Sequence, residues 1–372
     1  MIAIVEVTTK RQMREFVKYP FLLYKDNPYW IPPLIQDEID SFDPKINPVF
    51  ESATAKFYLA FKDGKPAGRT AAIINWDEVR RLKKNKVRFG WFDVIDDVEV
   101  TRALLDKVIQ LGHEHNMEEM EGPIGFSNLD KVGALTMGYD QVGTMISWYN
   151  HPYYITHFEQ LGLTPEKEFI ESIFKFSNVD PTPFKKAEEL IKRRYGLQSR
   201  NFTTTAQVMQ RADEMFDLFN TCYAHLSSFV PVSDKIKAFY KKKYIRFINP
   251  EYIKFIDDKD GKMIAFAIVM PSLSEALQQT GGKLFPFGFL KLLKAKRTSK
   301  EVMFYLIGVS PEYQNKGVTA LIMSEYYEVF KKNGIQTCIR TPELDENAPI
   351  HNMWKNFQPV IHKRRKTFSK PI

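Results

Sequence analysis

The sequence has 372 residues, 44% of them hydrophobic and 26% charged, close to ordinary folded domains, which excludes wholesale disorder and fibrous repeats. The formal charge of +8 is uneven: residues 1–183 hold 21 basic and 27 acidic side chains (−6), and the remainder 32 and 18 (+14), so the second half alone suits an anionic partner or presents a solvated basic face. Two cysteines without metal-ligand spacing, an N-terminus interrupted by Glu6, Lys10 and Arg11, and no apolar run above eight residues predict a cytosolic protein with neither disulfide scaffold, metal site nor membrane span.

A length of this size suggests two domains at roughly 150 residues each. The first half opens with a hairpin signal, apolar runs 57–61 and 67–74 around Asp63-Gly64-Lys65. An apolar strand at 87–94 follows, then a helix carrying Leu104, Val108 and Leu111 and stopping before Gly112, then a strand at 117–124. The proline-rich turn 177–183 is the best boundary. Beyond it the pattern returns. A second hairpin flanks Asp260-Gly261-Lys262, 197 residues after the first, followed by a strand at 302–309, a helix with Ala320, Met323, Tyr327 and Phe330 on one face before Gly334, and a strand at 335–340. Asn150 and Asn347, again 197 apart, open similar polar and aromatic closing stretches. The chain reads as a duplicated strand-hairpin-strand-helix-strand module.

The segment 305–320, YLIGVSPEYQNKGVTA, runs an apolar strand through a short polar loop into an amphipathic helix. Unpaired amides of a first helical turn, the positive end of the dipole and a glycine form an anion cradle, with Gln314 and Lys316 as further donors. The equivalent first-half passage, 92–100, has no glycine and four carboxylates (Asp93, Asp96, Asp97, Glu99), which cap a helix themselves and repel phosphate.

The strand-loop-helix passage resembles motif A of the GNAT superfamily of acyl-CoA-dependent N-acyltransferases, V-x-P-x-x-[QR]-x-x-G-x-[GA], through Val309, Pro311, Gln314 and Gly317, with Thr319 in the last small position and Ala320 adjacent. Asn347, Met353 and Lys355-Asn356-Phe357 resemble motif B, with Trp354 where that family usually has tyrosine; Phe158 to Leu163 resemble it more closely in the first half. The resemblance implies an α/β (α+β) fold of two tandem GNAT-like domains, each a mixed sheet flanked by helices. Residues 1–176 would be a degenerate copy forming one side of the substrate cleft, and 184–372 the copy with the acyl-CoA pyrophosphate loop.

The implied reaction is transfer of an acyl group, expected to be acetyl, from acetyl-CoA or another acyl-CoA to the amine of a small molecule by direct attack. The Val309 amide would hold the oxyanion. Gln314, Asn315, Lys316, Gly317, Val318 and Thr319 would hold the pyrophosphate, with Asn347 and Trp354 beside the cofactor. Trp354 is too weak an acid to protonate a thiolate, so either another group serves, with His351 the first candidate, or the reaction dispenses with an acid; Glu343, Asp345 or Glu346 is the candidate base. Tyr305 reads as a core residue. Two alternatives remain: an aminoacyl-tRNA-dependent transferase of the Fem type, suggested by the +14 half, and a non-catalytic acyl-CoA or ligand-binding protein, suggested by Trp354. The sequence assigns neither the acceptor nor an oligomeric state.

Two further segments stand out. The apolar and basic run 282–297 suits a membrane surface or a pocket for an apolar substrate, although a helix packed over the cleft is the plainer reading. The tail 362–366, HKRRK, reads as a solvated strand end, with a nucleic-acid backbone as the alternative contact.

Overall fold

The computed structural model describes residues 1–127, 129–224, 229–245 and 248–372. The first half runs β1 (Ile2–Glu6), α1 (Lys10–Leu23), α2 (Ile35–Ser41), β2 (Ala53–Lys62), β3 (Lys65–Asn75), α3 (Trp76–Leu82), β4 (Lys86–Val94), α4 (Val98–Glu114), β5 (Glu119–Gly122), β6 (Ala134–Met137), α5 (Tyr153–Gln160) and β7 (Thr164–Lys175). The second runs α6 (Thr182–Tyr195), β8 (Gln198–Arg200), α7 (Thr205–Tyr223), α8 (Asp234–Tyr244), β9 (Ile253–Asp257), β10 (Met263–Pro271), α9 (Ser274–Thr280), α10 (Gly288–Thr298), β11 (Glu301–Val309), α11 (Val318–Asn333), β12 (Thr337–Leu344), α12 (Ala348–Trp354) and β13 (Val360–Pro371).

Both predicted hairpins form. In the first, Asp63 and Gly64 take φ of 51° and 76°, the left-handed pair that a two-residue hairpin turn demands, and Lys62 pairs with Lys65. Helix α4 carries Leu104, Val108 and Leu111 as expected but passes through Gly112 to Glu114. That glycine is a packing position: a Cβ there would lie 2.5 Å from the Ile372 Cδ1 and 2.9 Å from Val87. The strand predicted at 117–124 is shorter, and the one predicted at 335–340 continues to Leu344.

One mixed sheet runs through the whole molecule in the order β1-β2-β3-β4-β5-β13-β7-β12-β11-β10-β9-β8, with β6 on β13. Residues 1–176 and 184–372 each build one end of it, and each lends its last strand to the other. The C-terminal β13 inserts between β5 and β7, while β7 bonds β12 of the second half. This placement overturns the solvated reading of the tail. Lys363 and Arg365 are 1% exposed, and both ion-pair with the buried Glu171 of β7.

Helices cover both faces at both ends. In the first half α4 and α5 bury Leu104, Val108 and Phe158 on one face, and α1 buries Phe16 and Val17 on the other. In the second half α6 and α11 bury Ile191, Leu321 and Ile322 on one face, and α7 packs Phe216 and Phe219 on the other. No helix among the described residues is long and apolar enough to cross a membrane.

Candidate active site

The site begins where two parallel strands separate. β11 and β12 pair from Glu301 with Thr337 to Phe304 with Arg340, and both then continue unpaired with each other. The Thr341 hydroxyl donates to the Phe304 carbonyl at 2.9 Å, closing the ladder. Pro342, which has no N–H to give, lies in the irregularity that shifts the β12 register on β7 between Arg340 and Glu343. The opened gap forms part of a cavity of about 270 Å³ whose lining includes Phe304, Ile307, Glu343, Asn347 and Trp354. It reaches into the first half as far as Lys86, Arg88, Glu121 and Lys167.

Backbone alternation aims an amide into the gap. Ser310 donates to the Ile264 carbonyl at 2.8 Å, and Val309 stands opposite Ala265. Because antiparallel pairing alternates, the N–H groups of Ile307 and Val309 turn away from β10, toward the side that β12 has left. The Val309 amide therefore faces the opened gap. On the same edge, the Tyr223 hydroxyl donates to the Ile307 carbonyl at 3.0 Å.

The loop after β11 has the form of a cradle. Asn315 and Gly317 take φ of 62° and 79°, and Gly317 starts α11 without a side-chain cap. The amides of Gly317, Val318 and Thr319 find no acceptor among the described residues, leaving the positive end of a 16-residue helix open. The Lys316 ammonium rests over two rings, 4.8 Å from the Tyr313 centroid and 5.5 Å from that of Tyr195. Gln314 and Asn315 are exposed, whereas the Val318 side chain is buried in the core and offers only its amide. Glycine at 317 also answers to packing and backbone conformation. A Cβ there would meet Ile191 of α6 at 2.5 Å, so helix packing and a positive φ require it.

Across the gap, Arg340 organises the remaining candidates. Its guanidinium ion-pairs with Glu343, lies 5.1 Å over the Trp354 ring, and donates to the His351 Nδ1 at 3.4 Å. Since guanidinium only donates, Nδ1 is the bare nitrogen and Nε2 carries the proton, which it gives to the Asp345 carbonyl at 3.0 Å. His351 is thus held by both nitrogens and does not line the cavity. Glu343 does, and burial pushes its carboxyl up in spite of Arg340. Asp345 and Glu346 are exposed and line an adjoining depression that shares Lys167 and Leu344 with the main cavity. Trp354 is buried, edge-on to Phe304 with centroids 4.7 Å apart, and Asn347 caps α12 through the Ile350 amide.

Residues 212–357 match the Acetyltransferase (GNAT) family. A solved tandem GNAT protein from the clavulanic acid biosynthesis pathway superposes with a TM-score of 0.58 at 10% identity, over 100% of this chain and 98% of that one. Residues 212–357 thus carry the match to the GNAT family, and the chain as a whole shares the fold of a tandem GNAT protein. Protein YghO of Escherichia coli is 26% identical to this chain over 370 residues, 98% of it and 94% of the relative. The bacterial ceramide synthase of Caulobacter vibrioides is 24% identical over 320 residues, 84% of this chain and 82% of that protein.

The first GNAT-like half has filled its own version of the site. Asp97 caps α4 through the Glu99 amide at 3.0 Å, and the Val94 amide, at the end of β4, donates to the Tyr154 hydroxyl at 2.8 Å. What this half contributes instead is a buried ionic cluster. Lys86 bridges Glu78 and Glu121, Arg88 grips Glu78 through two nitrogens at 3.0 and 2.7 Å, and Lys167 stands 3.7 Å from Glu121. The sequence reading missed this cluster, although Lys86 and Arg88 at alternate positions of an apolar strand signal a charged inner face. It also missed Tyr223; Tyr305, read as a core residue, does pack against the core and in addition lines the cavity and donates to the Leu129 carbonyl at 3.3 Å.

Proposed function

We propose that this protein is an N-acyltransferase that moves a long acyl group from acyl-CoA to the amine of an apolar acceptor held between the two halves. The observation that carries the reading is the continuous, predominantly apolar cleft that starts in the β11/β12 gap and ends at the ionic cluster of β4, β5 and β7. A two-carbon acyl group and a small amine, the substrates expected from the sequence, would leave most of that apolar surface uncovered. The likeness to a protein named bacterial ceramide synthase supports the same choice, a ceramide being the N-acyl derivative of a long-chain amino alcohol.

The residues fit acyl-CoA. Open amides at Gly317, Val318 and Thr319 suit the pyrophosphate, with Lys316 beside them and Gln314 and Asn315 on the exposed rim. When bound, the thioester supplies an activated carbonyl for the amine to attack. The Val309 N–H stabilises the negative charge that develops on that oxygen. Glu343, raised by burial and facing the cleft, removes the proton of the attacking ammonium. Arg340 positions Glu343 and packs it against Trp354. Tyr223, kept protonated by burial and lining the cleft, turns its hydroxyl from the Ile307 carbonyl to the departing sulfur, a task that the weakly acidic indole of Trp354 cannot take and for which His351, outside the cavity lining, is not placed.

The test is coenzyme A release from palmitoyl-CoA and acetyl-CoA, each with sphinganine or with a short amino alcohol. Consumption of palmitoyl-CoA with the long amine supports the reading. Preference for acetyl-CoA with the short amine returns the small-substrate function, binding without release makes the protein a carrier, and amide formation only from aminoacyl-tRNA makes it a Fem-type transferase.

A further inference from the structure

We propose that α10 and the turn before it dock this protein on an anionic lipid bilayer. The helix was the plainest candidate for a cover packed over the cleft, yet Leu292 is its only buried residue. Its apolar side chains face outward instead: Phe285 is 80% exposed, Phe287 70%, Leu290 52%, Leu293 49% and Phe289 39%. These are five of the fourteen large hydrophobic residues exposed among the described residues, and they include every phenylalanine in that group. Such clustering within nine positions is unlike the scattered apolar exposure of ordinary surfaces.

Charge identifies the occupant. Between Glu275 and Glu301 the chain has six basic residues, Lys283, Lys291, Lys294, Lys296, Arg297 and Lys300, and no acidic one. At 100° per residue, Phe289, Leu293 and Leu290 span one outer strip of α10, with Lys294 and Lys291 following along one flank. A second copy seated on this strip would bring like charges together. A bilayer rich in anionic headgroups neutralises the lysines and takes the rings into the acyl boundary, the arrangement of interfacial amphipathic helices.

The platform is also braced. Gly282 accepts from the Ile35 amide at 3.0 Å, Gln278 donates to the Pro28 carbonyl at 2.7 Å and Ser274 to the Gly143 carbonyl at 3.0 Å, so the α9–α10 segment is fixed to the first half with its apolar side outward. Leu277 of α9 lines a small cavity that shares Leu129, Asp130, Ile146 and Tyr305 with the main cleft. An apolar substrate arriving from the bilayer would meet the protein beside its site. The docking inference stands on exposure and charge and does not rest on the proposed reaction.

The experiment is co-sedimentation of the full chain with vesicles of phosphatidylcholine alone or containing about one-third phosphatidylglycerol. Expected is binding to the anionic vesicles that weakens in high salt, and little to the neutral ones. The variant Phe287→Ser/Leu290→Ser/Leu293→Ser alters only exposed side chains and should lose at least ~10-fold in partitioning while keeping its circular dichroism. Lys291→Glu/Lys294→Glu should abolish the preference for anionic lipid. The inference is overturned if the wild type stays in the supernatant with anionic vesicles, if the triple variant sediments as well as the wild type, or if the patch instead drives a concentration-dependent dimer without lipid binding.

Discussion

The Val94 amide donates to the Tyr154 hydroxyl at 2.8 Å, and this one bond separates the two halves chemically. At the corresponding end of β11 the Val309 amide faces an open gap. In the first half a tyrosine from α5 closes that position and passes the bond on through Tyr24 to Asp93. Tyr154→Phe should leave a buried amide unpaired and cost about 1–3 kcal/mol of stability. Acyl-CoA affinity by calorimetry should stay unchanged; a matching loss of affinity would mean that the first half also holds the cofactor.

Gly317 and Thr319 should respond in opposite ways. Gly317→Ala puts a Cβ at positive φ and against Ile191, and should destabilise the fold by roughly 1–2 kcal/mol from the backbone alone. Thr319→Glu adds a negative charge in the first turn of α11, which favours the helix by about 0.3–1 kcal/mol. The same charge should weaken acyl-CoA binding by more than ~10-fold, since it sits where phosphate would be held. Melting curves beside calorimetric titrations separate the two effects; a Thr319→Glu protein that binds normally would remove the cradle from the mechanism.

Glu343→Gln keeps the size of the side chain and removes the base. The turnover number should fall by roughly 10²–10⁴ with acyl-CoA binding retained. The working form is the carboxylate, whose pKa is raised, so wild-type rate should decline as pH falls through that pKa. A variant that kept the acidic limb of the profile would assign it to another group.

Stability should fall on the acid side in two stages. Burial pushes the His362 imidazole down to about 4 from 6.5, so it folds neutral, and protonation favours the unfolded chain as pH drops between those values. Burial by itself would raise Glu121 and Glu171, but Lys86 and Lys167 hold the first below its ordinary 4.5, and Arg365 and Lys363 the second. Their contribution is present above the unfolded pKa and is lost as pH falls below 4.5. Each such group steepens the decline by up to ~1.4 kcal/mol per pH unit. Melting temperatures from neutral to about pH 2 check both stages, and His362→Leu should flatten the upper one.

Deleting residues 360–372 should unfold both halves together. β13 fills the sheet between β5 and β7, and its Arg365 neutralises the buried Glu171. Loss of that partner alone costs about 3–5 kcal/mol. A truncated protein that retained one cooperative transition from an intact half would show that the strand exchange is dispensable.

Local signals were sufficient for the parts that local physics controls. Asp63-Gly64 specified its tight hairpin, because positive φ is a property of those residues, and the apolar run 302–309 and the helical spacing of Ala320, Met323, Tyr327 and Phe330 marked a strand and a helix around the polar loop. The glycine-free passage at 92–100 likewise told which half had capped its own helix. Tertiary packing decided the rest. The basic tail is core because β13 meets Glu171 from the other half, a pairing nearly two hundred residues away in sequence. His351 stays out of the cavity lining, with Arg340 and the Asp345 carbonyl holding its two ring nitrogens. Gly317 is required by Ile191 on α6, and α10 shows its apolar side to solvent because only Leu292 finds a neighbour in the core. Each of these depends on which surfaces meet, and a one-dimensional pattern of residue types carries no record of that.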